Sequence, residues 1–485
     1  MQQVARAVAE ATDTVFGLMG NGNAALIREL ADLGIPLITV RHEAAAVAAA
    51  DAFQRATGRL AVATTTYGPG FTNALTPLID AALSRSPLLF LAGSTTGVDH
   101  EALVAACGVR VEQDVTAAVE YALRESAPVV VFLPFTKPTP AADRGDVTRL
   151  LGEAERPLIL AGRGAVGMRD DVVALARALG ADVATTAPAK GFFHGVDGVR
   201  DLGICGGFSA PEARLEMRAA DVVLVVGASL NRFTLMHSFR ADAHVIQLDP
   251  HAPTSPRVDT VITAIPELPA VPGRREARPA VRTTHHPGDG ICADGRLDPR
   301  SLFVRLNEVL PRERIVVTDG GHFIAWPCMY LDVPGPDHLV LVGTGFESIG
   351  LGFGSAVGVV EAAGSRLTVL VTGDGGGLMA LADAESVIRR VHATGGRCVV
   401  VVVNDAAYGA EIHQYAWQGV PEEPMLIPEV DFTAVLSAFG AQGSVVRTLD
   451  DFAVVEEWLG SEQPGVWVLD CRVSRSVVAP FLARE

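Results

Sequence analysis

The 485-residue sequence has no closely spaced cysteines. Its six, Cys107, Cys205, Cys292, Cys328, Cys398 and Cys471, lie far apart and form no CxxC pair. That excludes a disulfide framework and a cysteine zinc site, and reads as reduced core thiols of a cytoplasmic protein. No uninterrupted apolar stretch reaches the roughly 18 residues a membrane span needs. Met1–Ala11 lacks a basic segment followed by an apolar one, so no secretory signal is expected. Basic residues are also scarce: 39 Lys and Arg stand against 56 Asp and Glu, a formal net charge of −17. Such a chain repels phosphate backbones, which excludes a general nucleic-acid binder. An anionic small molecule stays open, because a helix N-terminus binds anions whatever the global charge.

What is present is apolar and periodic. Hydrophobic residues make up 49% of the chain, enough for several cores, and the length suggests about three domains at roughly 150 residues each. Short β-branched runs recur, each followed by a glycine-containing turn and an alanine-rich amphipathic stretch. Leu60–Thr64, Leu88–Leu91, Val129–Leu133, Pro157–Leu160, Val222–Val226, Val245–Leu248, Ile315–Thr318, Leu367–Val371, Val399–Val403 and Val466–Leu469 are such runs. Continuous apolar strands alternating with helices predict an α/β chain of doubly wound parallel sheets, covered on both faces. Two breaks interrupt the pattern: residues 134–152, rich in Pro, Asp and Arg, and residues 264–297, which carry five prolines. They divide the chain into domains at about 1–140, 155–270 and 290–485. No short-period repeat is found.

The third block carries the densest chemistry. The strand Leu367–Val371 runs into Gly373-Asp374-Gly375-Gly376-Gly377, then a helical stretch, Leu378–His392. A second strand, Val399–Val403, ends in Asn404-Asp405-Ala406-Ala407-Tyr408-Gly409. Glycines such as Gly373, Gly375 and Gly376 let the backbone approach phosphate oxygens, and N–H groups at a helix start point at an anion. Mg²⁺ takes oxygen ligands and shares them with phosphates, so Asp374 and Asp405 suit a Mg²⁺-diphosphate site.

This block resembles the diphosphate-binding domain of thiamine-diphosphate enzymes, whose motif is GDG followed by NN or ND. The spacing here is at the long end, and the second metal ligand, usually Asn, falls on Asp405. The resemblance implies a third ligand from the carbonyl of Ala407. The first block resembles the pyrimidine-binding domain of the same family: Arg41-His42-Glu43 before an alanine-rich helix, Ala44–Thr57, with Ala50-Asp51-Ala52-Phe53-Gln54-Arg55 in it, then Gly68-Pro69-Gly70-Phe71-Thr72-Asn73. By that resemblance Glu43 is the catalytic carboxylate and Asn73 lies at the cofactor. A carboxyl group hydrogen-bonded to N1′ of the aminopyrimidine favours its imino tautomer, which removes the thiazolium C2 proton.

Three further stretches fit. Gly345–Gly354 resembles the segment that bends the cofactor, with Ile349 as the apolar wedge between its rings. Glu347 stands where a glycine usually offers its carbonyl to the 4′-amino group. Thr318-Asp319-Gly320-Gly321-His322 resembles a stretch near the diphosphate, which makes His322 a phosphate contact. The middle block resembles the central domain and contains Gly162-Arg163-Gly164-Ala165-Val166-Gly167, a GxGxxG after a strand, with Asp182 as the acid further on. In this family the central domain sometimes binds FAD or a nucleotide and often binds nothing, so FAD is only a secondary expectation.

The resemblance covers nearly the whole chain and is closest to acetolactate-synthase-like proteins. It implies a decarboxylase or carboligase that acts on a 2-oxo acid, with an acceptor carbonyl or acyl thioester. Asn21 falls where aldehyde-releasing decarboxylases often carry an Asp. Their His-His pair is absent from the first block, with His100 the nearest histidine, while their proton-donating Glu is matched by Glu411. Tyr67, Phe71, Tyr408, Tyr415 and Trp417 are candidate pocket aromatics. In the family, Glu43 and the metal carboxylates come from different subunits, which implies a homo-oligomer with its active site at a dimer interface. Two other readings stay open: a dinucleotide-dependent oxidoreductase built on Gly162–Gly167, and a non-catalytic scaffold of the same fold.

Overall fold

The computed structural model describes residues 1–18, 22–40, 42–66, 69–93, 99–132, 147–230, 232–236, 238–248, 257–262, 264–265, 279–344, 348–418 and 422–483. Among the described residues eighteen strands form three six-stranded sheets, and every pairing between them is parallel. The first sheet holds β1 (Val15–Gly17), β2 (Leu37–Thr39), β3 (Val62–Thr65), β4 (Leu88–Ala92), β5 (Arg110–Glu112) and β6 (Pro128–Phe132). The second holds β7 (Pro157–Ala161), β8 (Asp182–Thr185), β9 (Arg200–Ile204), β10 (Val222–Val226), β11 (His244–Leu248) and β12 (Thr260–Ile262). The third holds β13 (Arg314–Thr318), β14 (Leu339–Leu341), β15 (Leu367–Gly373), β16 (Arg397–Asn404), β17 (Gln442–Val446) and β18 (Gly465–Arg472).

The first and third sheets are wound identically, β2-β1-β3-β4-β6-β5 and β14-β13-β15-β16-β18-β17. The middle sheet runs β12-β11-β10-β7-β8-β9. The doubly wound expectation is therefore met in all three. The duplicated winding of the outer sheets is new, because the two blocks share strand order and no sequence period.

The valine-rich runs became the central strands. β16 buries all but its first residue, and β10 is buried throughout, as expected of strands covered on both faces. The strands β1, β2, β5, β8, β9, β12, β14 and β17, most of them short or polar, were not among those runs. The expected helix Leu378–His392 is in fact two helices, Asp374–Met379 and Leu381–Thr394, which meet at Ala380.

One core spans the first and third sheets. It is crossed by the helices Glu43–Thr57 and Gly352–Ala363. His42 caps the first of these by accepting the Ala44 N–H at 3.2 Å, and Gly58, with φ 70°, ends it. The two helices meet backbone to backbone. A Cβ on Gly354 would stand 2.8 Å from Ala45 Cβ, and one on Gly358 only 2.1 Å from the Ala49 carbonyl oxygen. Asp51 and Arg55 form a buried ion pair on the same helix. The Arg55 guanidinium also reaches Asp80 and the Leu341 carbonyl on β14. The middle sheet has cores of its own on each face. It is tied to the third sheet by Lys190, whose Nζ donates to the carbonyls of Cys328 and Leu331 at 2.6 and 2.7 Å. All six cysteines are free thiols. Among the described residues no helix is long and apolar enough to cross a membrane.

Candidate active site

In the third sheet, β15 ends at Gly373 and hands Asp374 to the first position of a helix. Next to it, β16 ends at Asn404 and hands over Asp405. Gly373 and Val403 are register partners, so the two carboxylates leave neighbouring strands at the same edge of the sheet. This is the carboxyl end, beside the point where strand order reverses between β13 and β15, where open α/β sheets bind ligands. Asp374 Oδ2 and Asp405 Oδ1 both accept the Ala407 N–H, each at 3.2 Å, and Asp374 Oδ1 also accepts the Gly375 N–H at 2.9 Å. Burial, reinforced by the Asp405 charge, pushes Asp374 up to about 7. Burial also raises Asp405 to about 6, against a lowering pull from Arg475.

Two buried carboxylates that converge and resist ionising are a donor set that a divalent cation would satisfy. Among the described residues no cluster of three His, Cys, Asp or Glu side chains is close enough to hold a metal ion. A hard cation here would take two carboxylates, the main chain and oxygens of its own ligand, which fits Mg²⁺ shared with a diphosphate and does not fit zinc.

A cavity of about 280 Å³ opens over this edge. Gly320, His322, Ile349, Gly373, Gly375 and Gly376 line it, together with Asp374, Asp405, Ala407 and Glu411. The structure thus brings together the third-block metal and cofactor candidates that it describes, and Glu411 with them. His322 Nε2 accepts the Ala479 N–H at 2.8 Å, which leaves the proton on Nδ1, the nitrogen facing Gly409. Burial, with His413 beside it, drives His322 down to about 3, so its ring is neutral. Glu411 stands exposed on the helix Gly409–Tyr415. The opposite wall was not foreseen. Phe481, from the chain's last segment, stands edge-on to Phe208 and Phe233 of the middle block at 5.6 and 5.7 Å. No local motif marks these three, because they meet only in the folded chain.

In the first sheet Glu43 is the first residue of its helix, and Asn73 Nδ2 donates to Glu43 Oε2 at 3.0 Å. This pairing between residues thirty apart was not legible in the motifs. Neither residue is among those lining the cavity of their own chain. Asn21, Glu347 and Tyr67 lie outside the described residues. Phe71 is fully buried against Phe90, Phe132 and His100, so it and His100 belong to the core. Tyr408 lines the cavity, and Trp417 is 60% exposed on the surface.

The Gly162–Gly167 turn is not an open phosphate cradle. A Cβ on Gly162 would sit 2.1 Å from the Gly227 carbonyl oxygen, and Gly164 N–H donates to that same oxygen at 3.0 Å. These glycines are used for chain-to-chain packing. Arg163 turns toward the other domains, donating to the carbonyls of Pro336 and Arg55. Asp182 is paired with Arg200 at 3.1 Å, so it is not free for a ribose. The oxidoreductase reading loses the motif that prompted it.

Comparison with known proteins shows the family. Family models for thiamine pyrophosphate enzymes match three stretches: the N-terminal TPP binding domain over residues 1–103, the central domain over 145–265 and the C-terminal TPP binding domain over 319–471. The acetolactate synthase isozyme 2 large subunit of Escherichia coli (strain K12) is 25% identical over 94% of this chain and 92% of its own. The sulfoacetaldehyde acetyltransferase of Castellaniella defragrans is 26% identical over 92% of this chain and 87% of its own. In fold, the thiamine diphosphate-dependent 4-hydroxybenzoylformate decarboxylase of Rhodococcus jostii RHA1 superposes with a TM-score of 0.78 at 19% identity, covering 97% of this chain and 99% of that one. The chain belongs to the thiamine pyrophosphate enzyme family.

Proposed function

We propose that the chain is a Mg²⁺-dependent enzyme that breaks or makes the C–C bond next to the carbonyl of a 2-oxo acid. The observation that carries this reading is the convergence of Asp374 and Asp405 on one amide beside a glycine turn, at the ligand-binding edge of the sheet. Thiamine diphosphate held there would supply a carbon nucleophile and a sink for the electron pair of the bond next to the carbonyl.

The residues have distinct tasks. Asp374, Asp405 and the Ala407 carbonyl would hold Mg²⁺, while Gly373, Gly375 and Gly376 leave the backbone open to phosphate oxygens. His322, neutral with its proton on Nδ1, donates a hydrogen bond to the diphosphate. Ile349 would support the rings from the apolar side, and by sequence position alone Glu347 is the residue whose carbonyl would accept from the 4′-amino group. Glu43 holds the proton at the pyrimidine N1′. Asn73 fixes one of its oxygens and leaves the other for that bond. Glu411 would move a proton to and from the carbon next to the broken bond, and Asn21 stays a catalytic candidate by its place in the sequence alone.

Glu43 and Asn73 stand outside the cavity of their own chain. A second copy supplying them makes the enzyme a homo-oligomer with its site at the interface. The relatives' names pair a synthase with an acetyltransferase, so the reading includes acyl transfer to an acceptor carbonyl or thioester as well as simple decarboxylation. The free, scattered thiols favour a cytoplasmic setting.

The test is the exchange of the C2 proton of thiamine diphosphate in D₂O with Mg²⁺, followed by NMR. Exchange well above that of the free cofactor, largely lost in Glu43→Gln, supports the reading. Exchange no faster than the free cofactor leaves the chain a scaffold.

A further inference from the structure

Asp319, the residue after β13, is fully buried and does not line the cavity. Its carboxylate nevertheless accepts four hydrogen bonds. Oδ1 accepts the N–H groups of Gly320 at 2.8 Å and Leu351 at 3.2 Å. Oδ2 accepts the Gly350 N–H and the Thr372 hydroxyl, each at 3.2 Å. These donors are all neutral and belong to three separate segments: the turn after β13, the stretch leading into the helix Gly352–Ala363, and the end of β15. Gly376 completes the ring, since a Cβ there would stand 2.7 Å from Asp319 Oδ2.

This arrangement has two physical consequences. The carboxylate caps the start of the helix Gly352–Ala363, where the macrodipole favours negative charge. It also pins the residue following Ile349. The residue before Ile349 is pinned as well: the Ser348 N–H donates to the Gly343 carbonyl at 2.9 Å, and a Cβ on Gly320 would meet the Ser348 carbonyl oxygen at 2.4 Å. Ile349 is thus held on both sides, with its side chain on the cavity wall.

We propose that Asp319 is a positioning residue of the cofactor site: it ties Gly350, Leu351 and Thr372 into one cluster that sets the height of Ile349 above the Gly373–Gly376 turn. Asp319 touches neither substrate nor cofactor and acts through Ile349. Asparagine is a poor substitute despite its shape, because its NH₂ would face donors and leave at least one of them unpaired. The proposal rests on the functional reading above only for what Ile349 supports.

The experiment compares native protein, Asp319→Asn and Thr372→Val by two measurements. The first is hydrogen exchange of the Gly350 and Leu351 amides in the cofactor-free protein. The second is affinity for Mg²⁺-thiamine diphosphate set against affinity for Mg²⁺ with inorganic diphosphate, which lacks the rings. In Asp319→Asn the two amides exchange at least about tenfold faster. Thiamine diphosphate affinity falls about tenfold or more, while diphosphate affinity changes less than about threefold. Thr372→Val, which removes one donor, shifts both measurements the same way by less. Native exchange with native cofactor affinity in Asp319→Asn overturns the proposal. So does an equal loss of both ligands, which would make Asp319 a fold residue. If Asp319→Asn does not fold, Thr372→Val decides: native values overturn the proposal and a selective loss of thiamine diphosphate supports it. Should the native protein bind neither ligand, the functional reading fails, and the exchange measurement alone still decides whether Asp319 orders the Ile349 segment.

Discussion

Asp374 and Asp405 accept a hydrogen bond from the same amide, that of Ala407, at equal distances of 3.2 Å. One neutral donor does not neutralise two buried carboxylates, and a shared cation does. Asp374→Asn therefore lowers Mg²⁺-dependent cofactor affinity about 100-fold or more, because it removes the deeper charge. Asp405→Asn keeps an oxygen ligand and removes a like charge, so its affinity stays within about tenfold of native. Titration calorimetry of both variants with thiamine diphosphate and Mg²⁺ checks the contrast. Equal losses would count against these roles.

Asn73 orients Glu43 through a hydrogen bond to one of its oxygens. Glu43→Gln is expected to slow C2 proton exchange about 100-fold or more, the usual scale for a lost acid–base group. Asn73→Ala leaves the carboxylate in place but unsteered, and slows exchange less, by about tenfold. NMR exchange rates order the three proteins.

If the site is shared between two copies, inactive variants complement each other. Glu43→Gln and Asp374→Asn are each inactive alone. Unfolded together and reassembled, half the dimers are mixed, and each mixed dimer holds one site with both native residues. Activity returns to about a quarter of native. Zero recovery, with mixed dimers confirmed by mass spectrometry, would place Glu43 and Asp374 in the same chain's site.

His322 accepts the Ala479 N–H through Nε2 and so must be neutral to hold the chain's last segment. Its folded pKa, about 3, lies below the ordinary value of 6.5. The unfolded chain therefore binds the proton more readily. The stability this gives is present above pH 6.5 and is lost as pH falls from there toward 3. By pH 4.5 the native protein should have lost about 2–3 kcal/mol that a His322→Asn variant does not lose. Urea unfolding at pH 7.5 and 4.5 measures the difference.

Gly358→Ala sets a methyl 2.1 Å from the Ala49 carbonyl oxygen, a contact that neither helix backbone can escape. The expected cost is about 1–3 kcal/mol, read from the midpoint of urea unfolding. A neutral result would mean that the two helices can separate without loss.

How much of this was legible beforehand depends on distance along the chain. The α/β class and the long central strands were, because five consecutive valines in Val399–Val403 admit little but a strand buried on both faces. The placement of Asp374 and Asp405 at one edge of the sheet was legible because each follows a strong strand. The edge strands β5 and β17 were not, since half-exposed strands carry polar residues without strict alternation. The helix break at Ala380 was hidden by unbroken helical composition on both sides. Asp319 stands within a motif that shows no task for it, because its partners Gly350, Leu351 and Thr372 are reached only through the fold. The GxGxxG turn misled for the same reason. Glycines that admit a phosphate and glycines that admit a neighbouring strand's backbone read alike, and Gly227 lies more than sixty residues away.

The backbone contact of Gly354 and Gly358 with Ala45 and Ala49 also fixes what can be exchanged between relatives. Because one continuous core runs from Phe16 to Val468 through those helices, the outer two sheets form a single heritable module. A chimaera that imports the first block alone must bring a matching pair of small residues or lose the joint. The middle sheet, with separate cores on both faces and tethers such as Arg163 and Lys190, is the cassette that can be replaced as a piece.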